Sequence, residues 1–537
     1  MTGLAFLGLV MLIVMLGAIF IGVPISFTLL FLALTFGYFG LGHVVFDLAY
    51  FQTIGMMKEE LLAAVPLFIF MGFLTEQAGL MERLFNAFRM LLAPIRGALF
   101  AVVILTATIF AMATGIVGAA VTVLGIMASP IMIKTGYDAK LAAGCITAGG
   151  TLGILIPPSV MLIVMGPVIG VSVAELYSAA FGPGFLLAGI YLVYLMIRSN
   201  LNPKLGPPVP KEERIHSVAA IFGELAVGVV PLFLLIGAVL GSMLAGLATP
   251  TEASAIGALG AWLLTVAYGR FTWPGFMRAN TAPKMFEVTA SSSTMLEVAV
   301  VLRIARMNPG RFTWAGFKRA LLSTTATSSM VLLLAVTSNI FGAVFARLGT
   351  ANWITESLLA LPFPPVVMLL LVLTLIFLLG WPFEWPAVIL VFLPIFYPVM
   401  DGLKPTLAPA LGIEPDMLMV WIGATVAVVL QTAYLSPPVA MSAYYLKQVV
   451  KEWSLSTIYK GMFEFMMLQC LCVLLIVVFP KIVTTFPEQL RAEGAAIKTE
   501  EIDDSHNRLE EDPLKAGPEQ QEEEQSLEKD ELAVPKK

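Results

Sequence analysis

Two segments of the sequence place prolines and small polar residues inside long apolar stretches. The first, residues 149–159, reads GGTLGILIPPS, and the second, residues 431–440, reads QTAYLSPPVA. Proline has no amide hydrogen and clashes with the preceding turn, so a proline pair leaves helix carbonyls without donors. In hydrocarbon such carbonyls persist only where they are buried in protein or line a cavity. With nearby hydroxyls and amides they can bind a hard cation, and the helix that follows offers its N-terminus to a carboxylate.

The residues of these two segments are the first binding candidates. They are Gly149, Gly150, Thr151, Pro157, Pro158 and Ser159 in the first segment and Gln431, Thr432, Ser436, Pro437 and Pro438 in the second. Four of them are predicted sodium ligands, namely Gly150, Thr151, Gln431 and Ser436. A simple proline kink is the alternative for either segment alone. A pair of interrupted helices, one in each half of a chain, instead indicates the binding site of a secondary transporter.

Each interrupted segment is preceded by another break in an apolar stretch. Residues 113–120 (ATGIVGAA) interrupt a stretch that ends at Pro130, and residues 380–387 (GWPFEWPA) interrupt one that ends at Pro394. Each unit is long enough to enter the membrane and turn back, but too short to cross it twice. We therefore predict two re-entrant hairpins, with tight loops between short helices as the alternative. The candidate residues at the turns are Thr114, Gly115, Gly118 and Glu384.

Two acidic residues are flanked by apolar helix. Glu384 lies in the second hairpin, and Glu252 follows Thr249 and Thr251 in the segment ATPTEA. Carboxylates at membrane depth are costly and are usually functional. A structural role is the alternative, because Thr-Pro-Thr-Glu also has the form of a helix N-cap with an acidic first turn. Thr249, Thr251 and Glu252 are therefore binding candidates with this alternative open.

All these segments belong to a chain whose solvent is lipid. Of its 537 residues, 58% are hydrophobic and 12% are charged, whereas soluble domains have about 25% charged residues. Twelve apolar stretches approach the length of a spanning helix, about 20 residues. They lie around 4–22, 25–42, 61–77, 97–113, 140–170, 178–197, 219–241, 252–268, 322–346, 365–398, 417–446 and 462–486. Backbone groups in lipid must be paired internally, so we predict an all-α polytopic membrane protein with about 12 membrane segments.

Proline content and charge divide the chain. Four prolines mark residues 201–216 as a loop between a first membrane half, 1–200, and a second, 217–487. Residues 488–537 hold 16 acidic and 7 basic side chains and are predicted to be a disordered acidic tail. Within the second half, residues 269–320 form a basic region that the positive-inside rule places in the cytoplasm.

The basic region contains a direct repeat. Residues 269–279 read GRFTWPGFMRA and residues 310–320 read GRFTWAGFKRA, so nine of eleven positions agree. This agreement indicates a local tandem duplication, and a regulatory module is the alternative.

Several function classes are excluded or disfavoured. The three histidines, His43, His216 and His506, lie in loops or the tail, so the sequence holds no histidine for catalysis inside the membrane. The chain has no P-loop motif for ATP hydrolysis and no basic, aromatic groove for nucleic acid. A transporter subunit, a channel-like or ion-translocating subunit of another membrane complex, and an intramembrane enzyme remain. The enzyme lacks a catalytic constellation, and a channel does not need two matching midplane sites.

The chain resembles the large membrane subunit of tripartite ATP-independent periplasmic (TRAP) transporters from about residue 4 to residue 487. The segments that carry this resemblance are GGTLGILIPPS, ATPTEASAIGA at 248–258 and LQTAYLSPPVA at 430–440. Residues 114–130 (TGIVGAAVTVLGIMASP), followed by GYD at 136–138, resemble the mannitol/chloroaromatic subgroup. The inserted repeat and the tail lie outside the resemblance.

The resemblance implies a fold, a reaction and partners. The fold is two inverted-topology repeats, each with a re-entrant hairpin and a broken helix, in a transport domain that moves as an elevator. The reaction is sodium-coupled uptake of an organic acid across the bacterial inner membrane, with sodium as coupling ion and no other cofactor. The partners are a periplasmic substrate-binding protein and a separate small membrane subunit of about four helices.

The charge pattern around the candidate site bears on the substrate. Residues 97–133, 141–170, 380–394 and 425–446 contain no Lys or Arg. A bound carboxylate must then rely on helix N-termini, each with about half a charge, together with hydroxyls and co-bound sodium. We therefore predict a monocarboxylate, such as a 2-oxo or hydroxy acid or an aromatic acid, before a dicarboxylate or a sugar acid.

Overall fold

A computed structural model of the chain describes residues 3–208, 218–270, 314–436 and 440–492. Within these ranges every regular element is a helix, which confirms the all-α fold class. The chain divides into two compact units, residues 1–484 and 485–537, and all helices named below belong to the first. The first repeat copy from residue 271 on, Pro437 and Pro438, and the tail from residue 493 on lie outside the described residues.

The first half contains ten of the described helices. They are α1 (Gly3–Phe20), α2 (Ile25–Leu41), α3 (Val44–Met57), α4 (Leu61–Gln77), α5 (Leu80–Leu92), α6 (Ala98–Thr114), α7 (Val117–Lys134), α8 (Ala139–Thr151), α9 (Val160–Ile169) and α10 (Val173–Leu201). A single 3-10 turn, Leu152–Ile154, follows α8.

Up to Val478, the second half also contains ten described helices. They are α11 (Val218–Leu244), α12 (Pro250–Arg270), α13 (Trp314–Arg347), α14 (Thr350–Leu359), α15 (Pro365–Leu379), α16 (Trp385–Gly402), α17 (Lys404–Leu411), α18 (Pro415–Gln431), α19 (Met441–Val449) and α20 (Leu455–Val478). The middle of α16, Val388–Phe392, is a π-helix, and a 3-10 turn, Thr432–Tyr434, follows α18.

Eight of the described helices are long and apolar enough to cross a membrane, and α4 with α5 forms a ninth candidate that bends by 56°. The shorter apolar helices include α6, α8, α9 and α15, which are 10–17 residues long. These short helices are arms of the predicted hairpins and pieces of the predicted broken spans. Length alone does not separate the two kinds of helix, because the other hairpin arms, α7 and α16, and the broken helix α18 are among the eight long helices.

Basic residues collect at one end of the helix bundle. Loops meet there, because the amide of Gly97 donates to the carbonyl of Gly206 (2.9 Å) and the amide of Asp138 donates to the carbonyl of Leu205 (3.0 Å). We call this the basic end; its basic residues are Arg96, Lys134, Lys140, Arg198, Lys204, Lys447, Lys451 and Lys460. By the positive-inside rule, the basic end faces the cytoplasm.

The two hairpins enter the bundle from opposite ends. The first, α6 and α7, starts and finishes at the basic end and turns at Gly115. The second, α15 and α16, finishes near the start of α18, where Lys404 pairs with Asp416 (3.9 Å). That start lies opposite the basic end, because α18 continues through a break into α19, which packs on α7 and α8. The two halves thus have inverted topology.

Glycines allow helices of the two halves to touch backbone to backbone. A Cβ added at Gly461 on α20 would lie 2.0 Å from the carbonyl oxygen of Lys140, and one added at Gly144 on α8 would lie 2.7 Å from the carbonyl oxygen of Gly461. Small residues of this kind are what membrane helices use at tight interfaces, because van der Waals packing drives their association. The close contact between α8 and α20 therefore depends on Gly144 and Gly461, which have no side chain.

We predict that Gly461→Ala destabilises the protein, because its methyl group has only backbone atoms to displace. Overpacking of this kind costs about 1–3 kcal/mol. The measurement is the thermal unfolding midpoint of the detergent-solubilised chain. Gly189→Ala is the matched control, since a Cβ there meets nothing within 4 Å. Equal midpoints for the two variants would contradict the packing role.

Candidate functional site

The first break lies between α8 and α9. Pro157 and Pro158 have no amide hydrogen, so the carbonyls of Gly153 and Ile154 lack the donors that a continuous helix would supply. The hydroxyl of Ser159 replaces one of them, since it donates to the carbonyl oxygen of Ile154. The carbonyl of Gly153 is not the acceptor of that bond and is a candidate ligand.

The second break repeats this arrangement between α18 and α19. Pro437 and Pro438 lie outside the described residues, but as prolines they withhold the same donors from the carbonyls of Ala433 and Tyr434. The hydroxyl of Ser442 donates to the carbonyl oxygen of Tyr434. In each half of the chain, a serine hydroxyl thus donates a hydrogen bond to one of the two carbonyls that the proline pair leaves without an amide donor.

A direct hydrogen bond joins the two breaks. Gln431 at the end of α18 donates from Nε2 to Oγ1 of Thr151 at the end of α8, over 3.1 Å. Both side chains are fully buried. Oε1 of Gln431 is buried and has no hydrogen-bond partner among the described residues. Buried polar atoms are almost always paired, so this oxygen is a candidate ligand for a cation.

The first hairpin turns against the first break. Gly115 has φ +59°, which favours glycine, and a Cβ added there would lie 3.6 Å from the carbonyl oxygen of Pro158 and 3.9 Å from that of Gly153. The same point is 3.8 Å from the amide of Val160, the first residue of α9. Because α7 also begins beside this turn, at Val117, two helix N-termini converge here, and both favour an anion.

The second hairpin turns against the second break. A Cβ added at Gly380 would lie 3.0 Å from Cβ of Ala433. Glu384, half-buried, precedes α16 as its N-cap residue without capping it through its side chain. Its carboxylate interacts electrostatically with the hydroxyls of Tyr434 and Tyr445. Glu384 is therefore part of the candidate site.

Three of the candidate glycines lie so close to a neighbouring helix that a side chain would crowd it. A Cβ at Gly118 would meet the ring of Tyr445 at 3.0 Å, and one at Gly149 would meet Ala107 at 3.1 Å. At Gly150 it would lie 2.3 Å from Val121 on α7. The first hairpin therefore packs closely against both broken helices.

The remaining hydroxyl candidates are hydrogen-bonded within their own helices or turns, and Ser436 Oγ also contacts Sδ of Met466 on α20 (3.2 Å). Thr114 donates to Phe110 (3.2 Å), Thr432 to Val429 (2.5 Å) and Ser436 to Thr432 (2.7 Å), each to a carbonyl oxygen. A hydroxyl that donates its hydrogen retains lone pairs, so these oxygens can still accept or bind a cation.

Thr249, Thr251 and Glu252 lie away from these breaks. Glu252 accepts hydrogen bonds from the amide (2.8 Å) and the hydroxyl (3.0 Å) of Thr249, and its own amide donates back to that hydroxyl (3.3 Å). This is a capping box at the start of α12. Thr251 donates to the carbonyl of Glu60 (3.1 Å), and Glu252 is exposed. These contacts are those that the structural alternative predicts.

Tyr177 is a site residue that the sequence reasoning missed. From α10, its hydroxyl donates to the carbonyl of Ser159 (3.1 Å) and accepts from the amide of Ser159 (3.3 Å), and its ring is fully buried. The available signal was a tyrosine within an apolar stretch, whose hydroxyl must find a partner. Tyr177 fixes the backbone at the start of α9.

Comparison with known proteins places this geometry in a transport context. The family described as "Tripartite ATP-independent periplasmic transporter, DctM component" matches residues 9–482. The sialic acid TRAP transporter large permease protein SiaM of Vibrio cholerae is 28% identical over 486 residues, covering 89% of this chain and 98% of the relative. The C4-dicarboxylate TRAP transporter large permease protein DctM of the same organism is 26% identical over 485 residues, covering 89% and 97%.

A solved structure shows the same fold. The YdaH transporter of Alcanivorax borkumensis aligns with a TM-score of 0.52 at 19% sequence identity. The alignment covers 83% of this chain and 90% of that chain.

We predict that Tyr177→Phe lowers the thermal midpoint, because it strands the buried amide and carbonyl of Ser159. A buried group left unpaired costs about 1–3 kcal/mol. Tyr50→Phe is the matched control, because Tyr50 is 62% exposed. If the two variants unfold at the same temperature, Tyr177 does not hold the break.

Proposed function

The chain belongs to the DctM component family of the tripartite ATP-independent periplasmic transporters, and from this premise we propose that it imports an organic acid by sodium symport. Members of this family that match the chain are large permease proteins, so the chain is a multi-pass transporter subunit of the bacterial inner membrane and not an enzyme. The observation that carries the proposal is the buried bond between Thr151 and Gln431, which unites the two breaks.

The sodium site that we propose lies at this junction. Hard cations take oxygen ligands, and transporters coordinate sodium with carbonyls of unwound helix. The oxygens that we propose for it are Oε1 of Gln431, which has no hydrogen-bond partner among the described residues, the hydroxyl of Thr151 and the carbonyl of Gly153. Ser436 and the backbone of Gly150 are further ligands in this proposal.

The substrate carboxylate, we propose, binds where α7 and α9 begin. Two helix N-termini converge beside Gly115, and no Lys or Arg occurs in residues 97–133 or 141–170. Two half-charges and a co-bound sodium ion balance one carboxylate better than two. We therefore keep the monocarboxylate preference as a proposal.

The names of the relatives give limited information about the substrate of this chain. Those described above are named for sialic acid and C4-dicarboxylates. They do not support the mannitol/chloroaromatic subgroup that residues 114–130 suggested. The proposal for a monocarboxylate thus depends on electrostatics at the hairpin turn.

The transport cycle and the partners are further parts of the proposal. Hairpins and broken helices contact one another at the breaks, which suits a transport domain that moves as one body in an elevator cycle. A periplasmic binding protein would deliver the substrate, and a small membrane subunit of about four helices would complete the complex.

Uptake should require sodium. The chain, reconstituted in liposomes with the small subunit and binding protein of its own organism, should accumulate substrate under an inward sodium gradient. Potassium in place of sodium should reduce uptake to that of protein-free liposomes. Equal uptake with either cation would contradict sodium coupling.

The break itself can be tested in the same liposomes. Pro157→Ala with Pro158→Ala returns amide donors to the carbonyls of Gly153 and Ile154 and should abolish uptake. Pro167→Ala is the matched control, since Pro167 lies inside α9 beyond the break. Correct insertion of both variants is verified first, and full uptake by the double variant would argue against a binding role for the break.

The substrate class can be measured on the binding protein alone. Calorimetry with a panel that includes pyruvate, lactate, benzoate and succinate should show heat from monocarboxylates and weaker binding of succinate. Tight binding of succinate with no response to the monocarboxylates would show that the chain serves a dicarboxylate.

A further inference from the structure

A cavity of about 670 Å³ opens at the basic end, between the start of α8 and the first turns of α20. Its lining residues are Lys140, Leu455, Ser456, Tyr459, Lys460, Phe463 and Glu464. Lys140 and Thr151 are eleven residues apart on α8, or about 16 Å along the helix axis. The cavity is therefore separate from the site at the breaks.

The charged groups around the cavity carry a net positive charge. Glu464 pairs with Lys140 (2.5 Å) and with Arg198 (3.9 Å), and it accepts a hydrogen bond from the hydroxyl of Tyr194 (2.7 Å). Lys460 is exposed on the same wall. Three cationic side chains thus surround a single carboxylate, which leaves an excess of two positive charges.

An exposed apolar stripe leads away from this cavity along α20. It consists of Phe463, Met467, Leu471, Leu474 and Val478, between 41% and 57% exposed. These residues recur every third or fourth position, so they share one helix face. Phe463 belongs to both the cavity and the stripe, which makes the two features continuous. The positive charge lies at the cytoplasmic end of the stripe.

We propose that this cavity binds the phosphate headgroup of an anionic phospholipid from the cytoplasmic leaflet, with an acyl chain lying along the stripe. Lysine is an effective point-charge partner for phosphate, and the exposed side chain of Ser456 supplies a hydroxyl for a hydrogen bond. The cytoplasmic leaflet carries the anionic lipid that attracts such residues. A free phosphate ester would match the charges but not the apolar stripe.

Native mass spectrometry of the detergent-solubilised full chain tests the lipid class. Phosphatidylglycerol should bind several-fold more tightly than phosphatidylcholine with the same acyl chains, because only the former carries a net negative charge. Glycerol 1-phosphate, which has the charge without the chains, should not displace phosphatidylglycerol at equal concentration. Equal binding of the two lipids, or displacement by glycerol 1-phosphate, would overturn the proposal.

Variants assign the binding to the cavity. Lys460→Gln should weaken phosphatidylglycerol binding about five-fold, which corresponds to one interfacial charge. Lys460→Arg keeps the charge and should retain the affinity. Lys404→Gln is the matched control, since Lys404 pairs with Asp416 at the opposite end. Unchanged affinity in Lys460→Gln, or an equal loss in Lys404→Gln, would show that the lipid binds elsewhere.

Discussion

The bilayer interior has no water to form a hydrogen bond with an unpaired backbone group, and the whole structure depends on this constraint. The chain interrupts two helices at membrane depth, so it must cover each interruption with protein. Ser159 and Ser442 each donate to one stranded carbonyl, and Tyr177 holds the backbone at the start of α9. The hairpins then close over the breaks through Gly115 and Gly380. Oε1 of Gln431 stays without a hydrogen-bond partner among the described residues, and this is why we propose it as a ligand.

The same constraint explains why the halves must pack so closely. A break that is shielded by only one helix would still face lipid on its other side. Glycines at the contacts of α8 with α7 and with α20 bring backbone against neighbouring chain, as at Gly150 and Gly461. Because the halves have inverted topology, one hairpin enters from each side of the membrane, and each hairpin covers one break. The positive charge of the basic end orients this arrangement in the membrane, with the basic end on the cytoplasmic side.

Local sequence pattern predicted the features that depend on local chemistry. The proline pairs, the two hairpins and the capping alternative for Glu252 could all be read from short segments, because proline, glycine and Thr-x-x-Glu act within a few residues. Contacts between distant residues left no local trace. Thr151 and Gln431 are 280 residues apart, and nothing in either segment specifies that they meet. Tyr177 was missed because nothing in residues 149–159 indicates that the backbone of Ser159 bonds to a hydroxyl 18 residues further along the chain.

We propose that the two breaks form one sodium site at Thr151 and Gln431. The most direct test is the sodium-induced rise in thermal midpoint of the purified chain, relative to equal potassium, for the wild type, Thr151→Val, Gln431→Leu and the double variant. A ligand at 100 times its Kd stabilises by about 2.7 kcal/mol. Thr425→Val is the matched control, because the hydroxyl of Thr425 donates to the carbonyl of Trp421 in its own helix. We expect each single variant to lose the sodium effect and the double variant to lose no more, with the control unchanged. The same sodium-induced rise in all five proteins would contradict the account.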